Sequence, residues 1–150
     1  MGSLKKNGVA QLKKKADSAF SQYVRYRDGW YNPTLGIWEC ECITCSVVKP
    51  LKETQAGHFV SRGKNILRYD ELNVNAQCIG CNMFKAGEQY LYSKALDLKY
   101  GEGTAESLMQ QRFTTHKLTI PELEQIIEDS KAYVKEALAN PDRFVLVATD

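Results

Sequence analysis

Two cysteine pairs, Cys42-x2-Cys45 and Cys78-x2-Cys81, constrain this chain more than any other feature. Two residues between cysteines let both thiolates reach one ion, and four thiolates make the closed tetrahedral site that structural zinc prefers. The spacing predicts one Zn²⁺ per chain, held by Cys42, Cys45, Cys78 and Cys81. The pairs are separated by 32 residues, more than a simple zinc ribbon needs, so something folded lies between them. The alternatives are buried free thiols or a redox pair like that of thioredoxin, and the second needs a βαβ context that this pattern lacks. Cys40 is left over. It can replace Cys42 only through an x4 spacing to Cys45, a poorer match to the Cys78 pair.

No run approaches the roughly 18 apolar residues that a membrane span requires, and no signal peptide is expected ahead of the first basic helix. These features lead us to expect a cytoplasmic protein without a membrane partner, where disulfides are rare. At 150 residues, with neither repeat nor linker, the chain is expected to form a single domain over 1–150. Charge is segregated along it. Residues 1–28 carry seven Lys/Arg against two Asp, whereas 119–142 carry two Lys against six acids. A basic segment that includes Lys13, Lys14 and Lys15 points to a polyanion on one side of the molecule.

Apolar spacing predicts a basic N-terminal helix over 9–28, with Ala16, Phe20 and Val24 on one stripe and a stop near Asp28-Gly29. Short strands are expected over 37–40, 55–60 and 72–77. A helix carrying Tyr90, Ala95, Leu96 and Leu98 should end at Gly101. Thr104 is expected to cap a second helix through Phe113, and Thr119-Pro121 to open a last one that ends at Asn140-Pro141. The apolar tail 144–147 should dock on the body. The class expected is α+β: a small zinc-stabilised core over 37–100 surrounded by helices, with a helical part over 104–140.

The segment between the knuckles holds His58, then Asn73 fifteen residues on, then Asn82 nine further, just past the second pair. This order resembles the HNH nuclease motif in its His-Asn-Asn form, whose ββα-metal core is two strands and a helix. The resemblance implies that His58 ends the first strand, Asn73 begins the second and Asn82 sits in the helix. An imidazole with an ordinary pKa near 6.5 takes a proton from water at neutral pH, which suits His58 as general base. The family pattern assigns Asn73 to orienting that imidazole. Asn82 would give an amide oxygen to Mg²⁺ or Mn²⁺, hard cations that neutralise charge at the scissile phosphate. Arg62, Lys64, Arg68 and Lys85 lie close in sequence and are candidates to hold phosphates. His116, outside this block, reads as an ordinary surface residue.

The runs Ala56-Gly57-His58-Phe59-Val60-Ser61-Arg62-Gly63, Asn73-Val74-Asn75-Ala76-Gln77-Cys78, Ala95-Leu96-Asp97 and Lys99-Tyr100-Gly101 go further. They resemble the phage NinG (Rap) recombination endonucleases over roughly residues 16–113. That resemblance implies an endonuclease acting on branched DNA such as Holliday junctions and D-loops, in the cytoplasm of a bacterial host. A symmetric junction would suit a homodimer. One departure stands out. HNH proteins commonly carry Asp or His before the catalytic His, and here the residue is Gly57. A second protein ligand for the catalytic metal is therefore open among Gln55, Glu53, a backbone carbonyl, waters or His58 itself. The competing readings are a non-catalytic zinc-containing DNA-binding module and a protein adaptor using the acidic C-terminal helix.

Overall fold

The computed structural model describes residues 2–147, with side chains from residue 8 onward, so Lys5 and Lys6 of the basic segment lie outside the described side chains. Helix α1 spans Gly2–Asp28, starting earlier than the apolar stripe predicts. Ala16, Phe20 and Val24 are its buried face. At Gly29 the chain turns sharply into a strand. A Cβ there would stand 2.8 Å from the carbonyl oxygens of Arg25 and Glu39, so only glycine permits the turn.

The strands form two separate antiparallel sheets. β1 (Gly29–Asn32), β2 (Ile37–Glu41) and β3 (Val48–Pro50) pair in that order. β4 (Thr54–His58) pairs with β5 (Val74–Cys78), with Thr54 opposite Cys78 and His58 opposite Val74. β1 and β3 are additions to the strands expected from sequence. β4 also ends sooner than the 55–60 run predicts. The Asn73 side chain captures both backbone groups of Val60, accepting from its N–H at 2.8 Å and donating to its carbonyl at 2.9 Å, which takes residue 60 out of the ladder.

Between β4 and β5 lies a loop with one helical turn, α2 (Asn65–Arg68). After β5 a single π-helical turn, Gly80–Phe84, is followed by α3 (Gln89–Tyr100). Helix α3 ends at Gly101, as expected. Helix α4 spans Thr104–Gln111. Thr104 is its first helical residue and not its cap: left-handed Gly103 precedes it, and the Thr104 hydroxyl donates back to the Gly101 carbonyl. The exposed end of α4 is satisfied from α3, because the Asp97 carboxylate accepts from the Ala105 N–H at 2.9 Å. Helix α5 (Ile120–Ala139) opens with the expected capping box, in which Thr119 and Glu122 each bind the other's backbone N–H.

The main apolar cluster joins Phe59, Val60 and Leu67 of the inter-strand loop to Tyr92 and Leu96 of α3 and Leu108 of α4. Each fully buried leucine contributes about 1.5–3 kcal/mol of burial free energy, so the loop after His58 is clamped from beneath by α3. A second cluster, Ala16, Leu118 and Leu123, packs α1 against α5. The acidic α5 therefore lies along the basic α1. Two residues at the end of α1 fasten it to β5: Arg27 donates to the Val74 carbonyl at 2.7 Å, and Asp28 accepts from the Ala76 N–H at 2.9 Å. The tail docks in part. Phe144 packs at a tilt against Trp38 and Val145 bridges to Tyr31, but Leu146 and Val147 stay exposed. The mixed α and β class expected from sequence holds, and no helix among the described residues is long and apolar enough to cross a membrane.

Candidate functional site

The four knuckle thiols converge. The sulfurs of Cys42, Cys45, Cys78 and Cys81 all lie within 4.8 Å of one another, close enough to hold one metal ion. Of the four, Cys42 is the one whose surroundings favour thiolate, whereas burial pushes Cys45 and Cys81 up. The Cys42 sulfur lies 3.3 Å from the Thr44 hydroxyl, and the Cys81 N–H donates to the Cys78 sulfur at 3.4 Å. Burial pushes the Cys42 thiol up, but the Thr44 hydroxyl and neighbouring N–H donors outweigh it, so this thiol is held below its ordinary value. Cys40 is not part of the group. It lies in β2 with its side chain fully buried, and burial pushes its thiol up to about 12 and keeps it protonated. The alternative in which Cys40 replaces Cys42 is thereby excluded.

His58 stands at the end of β4 and lines a cleft of about 500 Å³ together with Asp17, Gln55, Arg62, Arg68, Tyr69 and Asn82. Its Nε2 lies 2.9 Å from the backbone carbonyl of Arg68. A carbonyl only accepts, so this contact puts the proton of the neutral ring on Nε2 and leaves Nδ1 as the basic nitrogen. Burial is the main cause that holds the imidazole below its ordinary value of 6.5, and the nearby Arg62 and Arg68 charges act in the same direction. At neutral pH the ring is a free base.

Asn73 does not have the role that the family pattern assigns to it. Its carboxamide never meets the imidazole. It accepts from the Val60 N–H and donates to the carbonyls of Val60 and Leu67, so all three bonds go to the loop that supplies the Arg68 carbonyl. Asn73 thus acts on the loop, and the loop holds the ring. We expect Asn73→Ala to cost at least about 2 kcal/mol, since it leaves three buried backbone groups without partners. Denaturant unfolding measures this, and a change under about 0.5 kcal/mol would contradict the assignment.

The structure separates the expected phosphate-binding residues. Arg62 is exposed and lines the cleft. Arg68 lines it too, but its guanidinium is committed: Nε donates to Asp17 at 2.8 Å, and Nη1 donates to the Arg62 carbonyl at 2.9 Å. What Arg68 offers is its backbone, a correction to its expected role. Lys64 and Lys85 are exposed but lie outside the cleft lining, and Lys85 is 4.0 Å from Glu88. On α1, Lys14 and Lys15 are exposed, whereas Lys13 is half-buried and donates to Asn65 at 3.3 Å. His116 is not a plain surface residue either, because its Nε2 lies 3.0 Å from Glu122, tying it to the α5 cap.

The order of these residues along the chain can be set beside known proteins. The profile of the family described as "Bacteriophage Lambda NinG protein" matches residues 3–140. The chain belongs to the NinG family. Curated relatives named "Protein ninG" are 26% identical over 114 residues in Escherichia phage 933W, covering 75% of this chain and 51% of that protein. The protein of the same name in Escherichia phage lambda is 25% identical over 124 residues, covering 82% of this chain and 55% of the relative. That of Salmonella phage P22 is 25% identical, covering 82% and 56%. The chain spans about half the length of the curated relatives it matches. No solved structure shows a significant match.

In this NinG-family chain, sequence reasoning misses two residues that shape the cleft. Asp17 of α1 is one. Burial raises its carboxyl, but hydrogen bonds from Arg68 and Tyr69 more than offset that, so it is ionised and holds Arg68 in place. It is 51 positions from Arg68, and no local pattern signals the pairing. Gln77 is the other. It donates to Thr44 beside the thiols and to the Gly87 carbonyl beside the cleft. It also explains Gly57, since a Cβ there would come within 1.8 Å of the Gln77 side-chain oxygen. An acid or histidine at that position would require the Gln77 side chain to move. Of the remaining ligand candidates, Gln55 lines the cleft and accepts from Asn82 Nδ2 at 2.7 Å, whereas Glu53 is exposed and lies outside it.

Proposed function

We propose that this chain is a metal-dependent DNA endonuclease of the HNH, or ββα-metal, type. It hydrolyses phosphodiester bonds in branched DNA of the Holliday-junction or D-loop kind. The observation that carries the reading is His58: a neutral imidazole, fixed in one tautomer by the Arg68 carbonyl, in a cleft shared with Asn82 and Arg62. Supporting it is the order β4, β5 and then helix, with His58 at the end of the first strand, Asn73 one residue before the second, and Asn82 in the turn that follows.

In this mechanism His58 Nδ1 takes the proton of the water that attacks phosphorus, and the Arg68 carbonyl stabilises the imidazolium that forms. Arg62 holds a phosphate oxygen at the cleft. Asn82 Oδ1 and Gln55 Oε1 are neutral oxygen donors suited to Mg²⁺ or Mn²⁺. A divalent ion held there supplies charge neutralisation at the scissile phosphate and the leaving oxygen. Cys42, Cys45, Cys78 and Cys81 would hold a structural Zn²⁺, joining the loop after β2 to the π-turn that carries Asn82.

The pH dependence tests the base. Because the folded value lies below 6.5, the cleavage rate should fall with acid to a midpoint below pH 6.5. The unfolded chain takes up the proton first, so the same titration lowers stability as pH falls below the ordinary value. The rate is to be measured on labelled linear, flap, fork and four-way substrates at two salt concentrations. Branched substrates should be cut faster, and binding should weaken steeply with salt. A midpoint above 6.5, or strong discrimination among linear sequences, contradicts this reading.

A further inference from the structure

The turn beside the cleft exposes two aromatic side chains. Phe84 is 82% exposed and Tyr90 is 72% exposed, with Met83 also exposed between them and the cleft residue Asn82. Exposed large apolar groups on one short segment beside a cleft are candidates for a contact surface. The segment runs along the cleft: Asn82, Ala86, Gly87 and Gln89 line it, and Phe84 and Tyr90 each lie within two residues of a lining residue.

The turn is built to hold this position. Ala86, Gly87 and Glu88 are all left-handed, with φ of 49°, 81° and 51°. Two such conformations at residues with a Cβ, Ala86 and Glu88, stay populated only when the surroundings impose them. The constraints are visible: the Lys85 N–H binds the Gly80 carbonyl at 3.0 Å, the Gly87 N–H binds the Cys81 carbonyl at 2.8 Å, and Gln77 holds the Gly87 carbonyl at 3.0 Å. The turn is therefore anchored to the cysteine knuckle on one side and to the cleft sheet on the other.

The charge around the two rings is positive. Lys94 Nζ stands 5.4 Å from the centre of the Tyr90 ring, and exposed Lys85 follows Phe84. Glu88 lies 4.0 Å from Lys85, too loose and too solvated a pair to cancel it. Protein–protein interfaces are depleted in lysine, so rings interleaved with lysines fit a polyanion with exposed flat faces better than they fit an apolar protein partner. We infer that Phe84 and Tyr90 form a stacking platform for unpaired DNA bases at the mouth of the His58 cleft, with Lys85 and Lys94 on the adjoining phosphates. The inference rests on the proposed nuclease reading and adds to it the part of the substrate that is recognised. Every base has a π-face, so the platform is indifferent to sequence. A linear duplex keeps its bases stacked inside and has nothing to offer it, whereas the single strand of a flap, fork or D-loop does, as do the central pairs of a four-way junction that binding opens.

The test uses the full, metal-replete protein with Ca²⁺ in place of Mg²⁺, to bind without cutting. Three probes are compared by fluorescence anisotropy: single-stranded DNA, linear duplex, and a four-way junction with 2-aminopurine at the branch. Phe84→Ala and Tyr90→Ala should weaken single-strand and junction binding by about five- to a hundred-fold. Linear duplex affinity should stay within about twofold, and the stacking quench of 2-aminopurine should disappear. Phe84→Trp should restore both affinity and quench, and thermal melting should show all variants folded. Unchanged single-strand binding, or equal loss on linear duplex, overturns the inference. So does a wild-type dimer that the alanine variants turn into monomers, since the surface then joins copies of this chain. Quenching by a protein that never cuts under Mg²⁺ or Mn²⁺ sinks the nuclease reading alone, while cutting without quenching sinks this inference alone.

Discussion

His58→Ala should lower cleavage of branched DNA by roughly 10²–10⁴-fold, the usual contribution of a general base. Junction affinity should stay near that of the unchanged protein. His58 is at the end of its strand and half-buried in a cleft, and its only side-chain hydrogen bond among the described residues is with the Arg68 carbonyl. Removing it leaves one backbone carbonyl facing a solvated cleft, so the stability cost should be about 1 kcal/mol or less. His58→Gln is the informative companion. It offers a donor to the same carbonyl without a base, so it should be as inactive as the alanine variant and nearer to full stability. Single-turnover cleavage and denaturant unfolding are the measurements. A folded, DNA-binding His58→Ala protein that cuts at an undiminished rate removes His58 from the mechanism.

Replacing one cysteine of the cluster should have the larger effect on folding. Structural zinc in small sites contributes about 10–16 kcal/mol of apparent free energy, as much as the whole net stability of an ordinary domain. The cluster joins the loop after β2 to the end of β5, and Gln77 carries the connection from Thr44 to Gly87 at the cleft. Cys78→Ser or Cys42→Ser should therefore abolish stoichiometric zinc and give an unfolded or aggregating chain. Cys40→Ser is the control: its thiol is buried outside the cluster, so one zinc per chain should remain and only a modest loss of stability should follow. Elemental analysis with circular dichroism decides this. A folded Cys78→Ser protein with undiminished zinc contradicts the assignment.

The elements that sequence reasoning finds are those whose signals are local. The capping box at Thr119 and Glu122, the stop at Gly101, and the Ala16-Phe20-Val24 stripe each depend on residues within two or three turns. The cysteine knuckles are legible because metal geometry fixes their spacing. β1 and β3 escape notice because they have 4 and 3 residues and only half-buried or exposed faces, so no alternation marks them. Thr104 misleads because Asp97, on the preceding helix, supplies the bond a cap would give. At the cleft the residue types are legible and the contacts are not. His58 is placed as expected, but the partner of its ring is a backbone carbonyl with no side-chain signature. Arg68 reads as a free cation until Asp17, distant in sequence, is seen to hold it. Gly57 reads as a missing ligand, and only the packed structure shows Gln77 filling that space.

Cleavage itself is the most direct test of the nuclease proposal. The zinc-loaded chain is incubated with a labelled four-way junction with no added divalent ion, with Ca²⁺, and with Mg²⁺ or Mn²⁺, and the products are resolved on a denaturing gel. Strand scission at the branch with Mg²⁺ or Mn²⁺ only, absent from the His58→Ala reaction, is the predicted result. A folded protein that binds the junction under all these conditions and cuts it under none would contradict the proposal and leave a zinc-containing DNA-binding module in its place.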